Sequence, residues 1–328
     1  MLAYMGRRVV QIVPLLLSIS IIGFIIINLP PGDYLTVRIT QLETQGDTTA
    51  RKVVEQWRER FGLDKPLWQQ YLIWVGNFVR GDFGRSFEYE REVRELIGQR
   101  LLLSVILGVA TMIFTWVVAI PIGIYSAVRQ YSVGDQIFSF IAFIGMATPN
   151  FLLALILMYV SVVHLGWSVG GLFSPEFVDA PWSWARFVDM LKKLWVPVIV
   201  IGTSGTAGLM RIMRANLLDV LNQQYIQTAR AKGLRETLVI YKHAVRVAIN
   251  PLITIAGMSI PGILSGEAIT SVVLNLPTLG PLFLRSLEVQ DMYLAGTILI
   301  FFALLLVIGN LLADIALALV DPRIRYEE

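Results

Sequence analysis

Two carboxylates stand inside long apolar runs of this chain, Glu267 and Asp314. A charged side chain at the centre of a bilayer costs ~2.5–3.5 kcal/mol on insertion scales, so it faces a bundle interior, a partner or water. Glu267 closes the stretch Pro261-Gly262-Ile-Leu-Ser-Gly266-Glu267. Helices broken by such residues are where transporters expose carbonyls along a substrate path. A second break, Thr148-Pro149-Asn150, falls near the middle of another apolar run: its proline removes a backbone bond and its asparagine needs a partner. Thr148, Pro149, Asn150, Pro261, Gly262, Gly266 and Glu267 are therefore the translocation-path candidates. The other reading of Glu267 is a protonated or hydrogen-bonded group at a helix contact. Asp314 would pair with an arginine of an inner loop or of a partner chain.

Covalent and metal chemistry find little here. The 328 residues contain no cysteine and two histidines, His164 and His243, far apart in the chain. Neither a thiolate nor a histidine metal site is expected. No Gly-Lys dipeptide occurs, so a phosphate-gripping loop ending in Gly-Lys-Ser/Thr is absent. No catalytic residue, bound metal or resident cofactor is expected, and this chain cannot itself be an ATPase of that type.

The elements that must position these groups are membrane spans. Hydrophobic residues make up 55% of the chain and charged ones 16%, with a mean hydropathy of +0.66. A hydrocarbon core of ~30 Å takes about 20 helical residues. Six runs meet that length, at 9–29, 101–128, 137–165, 194–213, 251–276 and 294–320. Arg7 and Arg8 before the first, with Arg323 and Arg325 after the last, place both termini in the cytoplasm. The first run continues into Pro30-Pro31-Gly32-Asp33 without a small-residue cleavage site, so it should remain as an anchor. Residues 33–100 carry eleven basic and eleven acidic side chains, a balance suited to an external segment. Within it Val53, Val54, Trp57 and Phe61 predict an amphipathic helix stopped by Gly62. Leu67, Tyr71, Val75 and Phe78 predict another, stopped near Gly81, with Trp68 and Trp74 anchoring the layer at the headgroups. This layer either meets a delivering protein or caps the bundle. In the fourth run, residues Gly202 to Gly208 are all small; they read as a helix-packing face or, more sharply, a cavity wall.

Between the fourth and fifth runs, residues 211–251 hold Arg211, Arg214, Arg230, Lys232, Arg235, Lys242 and Arg246 against Asp219 and Glu236. This basic excess marks a cytoplasmic loop near anionic lipid. The mild net charge of +3, distributed this way, suggests no nucleic-acid partner. Leu217, Leu221, Tyr225 and Ala229 predict one apolar helical stripe. Lys232-Gly233 is a helix stop. Leu234, Leu238, Tyr241, Val245 and Ile249 then predict one side of a second helix. Helix, glycine corner and helix form a compact docking block.

Tyr225-Ile-Gln-Thr-Ala-Arg-Ala-Lys-Gly-Leu234, followed by His243-Ala244 and Asn250-Pro251, resembles the coupling loop of ATP-binding-cassette importer permeases of the dipeptide and oligopeptide family. Gln227 stands where the general pattern has glutamate. Phe61-Gly-Leu-Asp-Lys-Pro66, Gly81-Asp-Phe-Gly-Arg-Ser86, Gly145-Met-Ala-Thr-Pro-Asn-Phe151, Leu276-Pro-Thr-Leu-Gly280 and Asp321-Pro-Arg-Ile-Arg-Tyr326 also resemble that family. The resemblance implies an all-α membrane protein, type I importer permease-like: an anchor span at 1–32, an external segment at 33–100, and a five-span core at 101–328 with its coupling loop at 214–250. It implies a bacterial or archaeal cytoplasmic membrane and a homologous second permease subunit. It also implies two ATPase subunits that bind ATP and Mg, and an extracytoplasmic substrate-binding protein. Tyr225, Gln227, Thr228, Ala229, Arg230, Ala231, Lys232, Gly233, Leu234, Leu238 and Tyr241 would dock the ATPase. Peptide is the implied cargo, with oligosaccharide, nickel and opines handled by similar permeases. The alternative from the residues is an ion-coupled secondary transporter using Glu267 and Asp314, although only six spans and no paired repeat of broken helices are evident.

Overall fold

The computed structural model describes residues 2–29, 64–167, 169–265 and 268–320. The expected helix around Val53–Phe61, the pair Gly266 and Glu267, and the C-terminal Asp321–Tyr326 word lie outside these residues. Among the described residues the chain is helical, with a single isolated bridge between Arg85 and Glu92. In order, the helices are α1 (Leu2–Asn28), α2 (Leu67–Val79), α3 (Val93–Val128), α4 (Val133–Ala147), α5 (Asn150–Leu165) and α6 (Trp184–Leu221). They continue with α7 (Gln224–Ala231), α8 (Glu236–Ala248), α9 (Asn250–Ser265), α10 (Ala268–Val273), α11 (Leu279–Glu288) and α12 (Met292–Val320).

By length and composition α3, α6 and most of α12 can each cross a membrane, and the apolar part of α1, Val13–Asn28, is shorter. The expected third span is not one straight helix. It is the pair α4 and α5, bent by 102°. Pro149 bars its predecessor from helical geometry, and Thr148 accordingly sits at φ −86°, ψ 120°. The described parts of the expected fifth span are α9, to Ser265, and α10, from Ala268. The 38 residues of α6 extend about 57 Å at 1.5 Å per residue. That is nearly twice the hydrocarbon thickness, so α6 must project beyond it.

The chain forms two compact units. The first holds residues up to Leu103 together with Thr278–Leu305. Its centre is aromatic: Phe24 of α1 lies 5.4 Å from Tyr71 and 5.9 Å from Trp74 of α2. Trp74 is buried, not placed at a headgroup surface as its sequence context suggested; Trp68 is exposed. Gly296 makes room for it, since a Cβ there would lie 2.7 Å from the indole. The second half of this unit is clasped by Asp291, which caps α12. Its carboxylate accepts from Ser86 Oγ at 2.5 Å, Phe87 N at 2.8 Å, Glu88 N at 3.2 Å and Leu294 N at 3.2 Å. Burial pushes this carboxyl above its ordinary range, and the four donors pull the other way. Beside it, Arg285 Nη2 meets Glu88 at 2.7 Å. Asp291→Ala would orphan buried donors at about 1–3 kcal/mol each. The unfolding midpoint in detergent should fall by several degrees, with Asp291→Asn in between; an unchanged midpoint for the alanine variant would show that the clasp contributes nothing.

The second unit contains Ser104–Pro277 and the chain from Leu306. The small residues of α6 do serve close packing at Gly202, where a Cβ would come within 2.6 Å of Phe114 of α3. Thr115 Oγ1 donates to the Gly202 carbonyl at 3.4 Å. Gly123 of α3 fits against Met213 in the same way, and Gly145 of α4 against Thr203. Beyond Gly208 the projecting end of α6 leads into the helix, glycine corner and helix block of α7 and α8.

Candidate functional site

The block begins where α6 stops at Asn222, whose side chain donates to the Leu218 carbonyl at 3.0 Å. The chain turns at Gln223 and winds α7. That helix ends in a left-handed glycine motif. Gly233 has φ +75°, its N–H donates to Arg230 O at 2.9 Å, and Leu234 N donates to Ala229 O at 3.4 Å. These two bonds satisfy carbonyls that a helix end otherwise leaves free. Across the corner, Arg230 Nη2 reaches Glu236 at 2.7 Å and Arg230 Nε reaches it at 3.2 Å. The guanidinium holds the Glu236 carboxyl below its ordinary range. The clasp is therefore complete at neutral pH and is lost as pH falls through that lowered value. Glu236 is exposed and Arg230 only half-buried, so the pair orients the corner more than it stabilises the fold.

The inner side of the block is seated by Ile226, Val239, Ile240, Ala244 and Ala248, which pack with Ile124 and Ala127 of α3, Met213 and Leu217 of α6, and Leu252 of α9. Asn216 of α6 adds a bond to the Ala248 carbonyl at 3.5 Å. Of the two apolar stripes expected from sequence, Leu217, Leu221, Ala229, Val245 and Ile249 do pack on this core, while Tyr225, Leu234, Leu238 and Tyr241 face outward. The break at Asn222 interrupts the first, so Ile226 is buried and Tyr225 exposed. In the second, Val239–Ala244 is wound as a π-helix. Its wider turn aligns Val239 with Ala244, five residues on, and rotates the side predicted from a four-residue spacing away from the core. Leu234, Leu238 and Tyr241 consequently remain 38%, 40% and 63% exposed, while Val245 and Ile249 are half-buried. An exposed apolar trio thus stands on a well-seated base. Gln227 and Thr228 are exposed on α7, where Thr228 Oγ1 donates to Gln224 O at 2.9 Å. Ala231, Lys232, Arg235 and Lys242 surround the corner, all exposed.

Residues 119–326 match the family described as binding-protein-dependent transport system inner membrane component, and residues 1–108 match its N-terminal counterpart. The chain belongs to this family. This permease is 41% identical to the oligopeptide transport system permease protein AppB of Bacillus subtilis (strain 168), over 99% of this chain and 100% of that one. It is 31% identical to the glutathione transport system permease protein GsiC of Escherichia coli (strain K12), with both chains covered in full. Its fold is similar to a chain of the MetNI methionine ABC transporter in an inward-facing conformation, with TM-score 0.52 and 15% identity over 69% of this chain and 96% of that one. The permease is a multi-pass inner-membrane subunit of an ABC importer and works with partner subunits. It is not an enzyme, and ATP hydrolysis belongs to separate ATPase subunits.

Of the permease's path candidates, Thr148, Pro149 and Asn150 form the corner between α4 and α5. Thr148 Oγ1 donates to Ile144 O at 2.8 Å, and Asn150 Nδ2 reaches Ser204 Oγ of α6 at 3.5 Å. Pro261 and Gly262 fall within α9. Gly266 and Glu267 lie outside the described residues. Two carboxylate anchors escaped the sequence reading, Asp291 and the Asp135–Arg214 pair. Asp291 had a usable signal, an acidic residue directly before a long apolar helix. So did Asp135, in Ser132-Val-Gly-Asp135, a serine with an acid three residues on.

Proposed function

We propose that the permease contributes half of a translocation path for di- or oligopeptides and docks an ATPase subunit through α7 and α8. The observation that carries this reading is the trio Leu234, Leu238 and Tyr241, solvent-facing on a block whose opposite side is fixed to α3, α6 and α9. A rigid apolar projection suits an apolar groove on a partner, and the surrounding cations orient its approach. Closure of two ATPase chains around their own ATP and Mg would displace the block and the helices seated on it. A second permease completes the path, and a binding protein delivers cargo to the opposite face. Both termini lie on the cytoplasmic side with the block. Peptide as cargo follows from AppB, whose description is oligopeptide transport. The path runs past Thr148–Asn150 and the 261–267 stretch, with Glu267 lining it.

Isolation from its native membrane tests the docking. Expression with its neighbouring transport chains should yield a complex containing ATPase subunits, with uptake that requires ATP and a loaded binding protein. Gradient-driven uptake by this chain alone in liposomes would overturn the reading and restore Glu267 and Asp314 as coupling carboxylates. The ligand recovered from the binding protein tests the peptide assignment.

A further inference from the structure

Asp135 is buried near the start of α4 and binds Arg214 of α6 through both carboxylate oxygens, at 3.1 Å from Nε and 2.9 Å from Nη2. The same carboxylate accepts the Tyr131 N–H at 2.9 Å and the Ser139 hydroxyl at 3.4 Å. Tyr131 is held at φ +63° in the turn that joins α3 to α4. One carboxylate thus ties the turn, α4 and α6 together. Arg214 lies one residue beyond Met213 and three before Leu217, both fully buried in the core that seats the docking block. Further along α4, the Arg211 guanidinium stands 5.2 Å from the centre of the Phe143 ring. A Cβ on Gly145 would approach Thr203 Cγ2 to 2.9 Å. Contact between α4 and α6 therefore runs from the block to the Thr148–Pro149 corner.

A bidentate guanidinium–carboxylate pair fixes both separation and angle, which apolar packing alone does not. Pairs of this kind give little net stability after desolvation, so geometry is the contribution to look for. We propose that Asp135–Arg214 is a positioning latch that makes α4 move with α6, so that displacement of the docking block reaches the corner between α4 and α5. The latch rests on the docking reading above and deepens it.

The test uses the assembled transporter in liposomes and compares uptake with ATP hydrolysed. Asp135→Asn should still isolate with its ATPase chains and hydrolyse ATP, while uptake per ATP falls about tenfold. The concentration of loaded binding protein giving half-maximal uptake should not move. Because the chain has no cysteine, Gly145→Cys with Thr203→Cys introduces the only thiols in it, at a separation suited to a disulfide. Oxidising that pair in the Asp135→Asn background should restore uptake per ATP, and reduction should remove it again. Unchanged coupling in Asp135→Asn overturns the latch, as does a proportional loss of uptake and hydrolysis. So does a disulfide that blocks uptake in the otherwise wild-type chain, since α4 must then slide on α6; this arm holds even if Asp135→Asn fails to assemble. Wild-type uptake without ATPase chains removes the docking reading, and with it the displacement the latch would transmit.

Discussion

Gly233→Val is expected to cut ATP-dependent uptake at least tenfold while insertion and ATPase content stay normal. At φ +75° a Cβ on Gly233 would meet no atom within 4 Å. The Cβ itself is uncrowded, so the left-handed backbone is the cost that every substitution here meets. A β-branched residue in the left-handed region is strained by roughly 1–3 kcal/mol. The corner responds by holding that strain or by relaxing. Relaxation breaks the bonds from Gly233 N and Leu234 N to α7 and changes the angle between α7 and α8. The Arg230–Glu236 clasp, a weak surface pair, cannot hold that angle alone. Asparagine tolerates the left-handed conformation, so Gly233→Asn should transport within about twofold of wild type, with alanine between. The order Gly, Asn, Ala, Val follows from conformation and not from size. Equal uptake per ATP across the series would mean that the corner transmits nothing.

Signals confined to one turn of chain were legible. Gly233 as a helix stop needs only its neighbours, and so does the helix of Leu67–Phe78 with its stop near Gly81, which has φ +82°. The apolar runs gave the helices of the membrane region for the same reason: hydropathy is a local sum. What escaped depended on geometry between distant residues. The proline at 149 announced a break but not its 102° angle, and α5 beyond it packs on α6 and α10, distant in the chain. Trp74 has the same sequence signature at an interface as in a core, and Gly296, 222 residues away, decides between them. Asp135 and Arg214 are 79 residues apart and Asp291 and Ser86 are 205 apart, so no spacing rule joins them. The packed side of α8 was misassigned for another reason. A period of 3.6 presumes α-helical winding, and the π-helical Val239–Ala244 segment departs from it while its composition remains ordinary.

Leu238→Asp combined with Tyr241→Asp should weaken co-isolation of the ATPase subunits by about a hundredfold or more, with no change in unfolding midpoint. The two halves of this expectation have one origin. Tyr241 and Leu238 keep much of their surface in solvent, so replacing them removes little burial from the permease itself. In a complex the same surface would be taken from water, and truncating one central aromatic or aliphatic anchor typically costs 2 kcal/mol or more. Aspartate adds the desolvation of a charge in an apolar groove. Ile226→Ala should behave in the opposite way. Its side chain is fully buried within the block, and deleting a buried isoleucine to alanine costs about 2–5 kcal/mol, so melting precedes any specific loss of docking. Lys242→Ala, next to Tyr241 but charged and exposed, should change co-isolation only modestly and in a salt-dependent manner. If the double aspartate variant keeps its ATPase partners while Lys242→Ala sheds them, charge and not the apolar trio is what the partner holds. If both retain them, the partner grips another surface altogether.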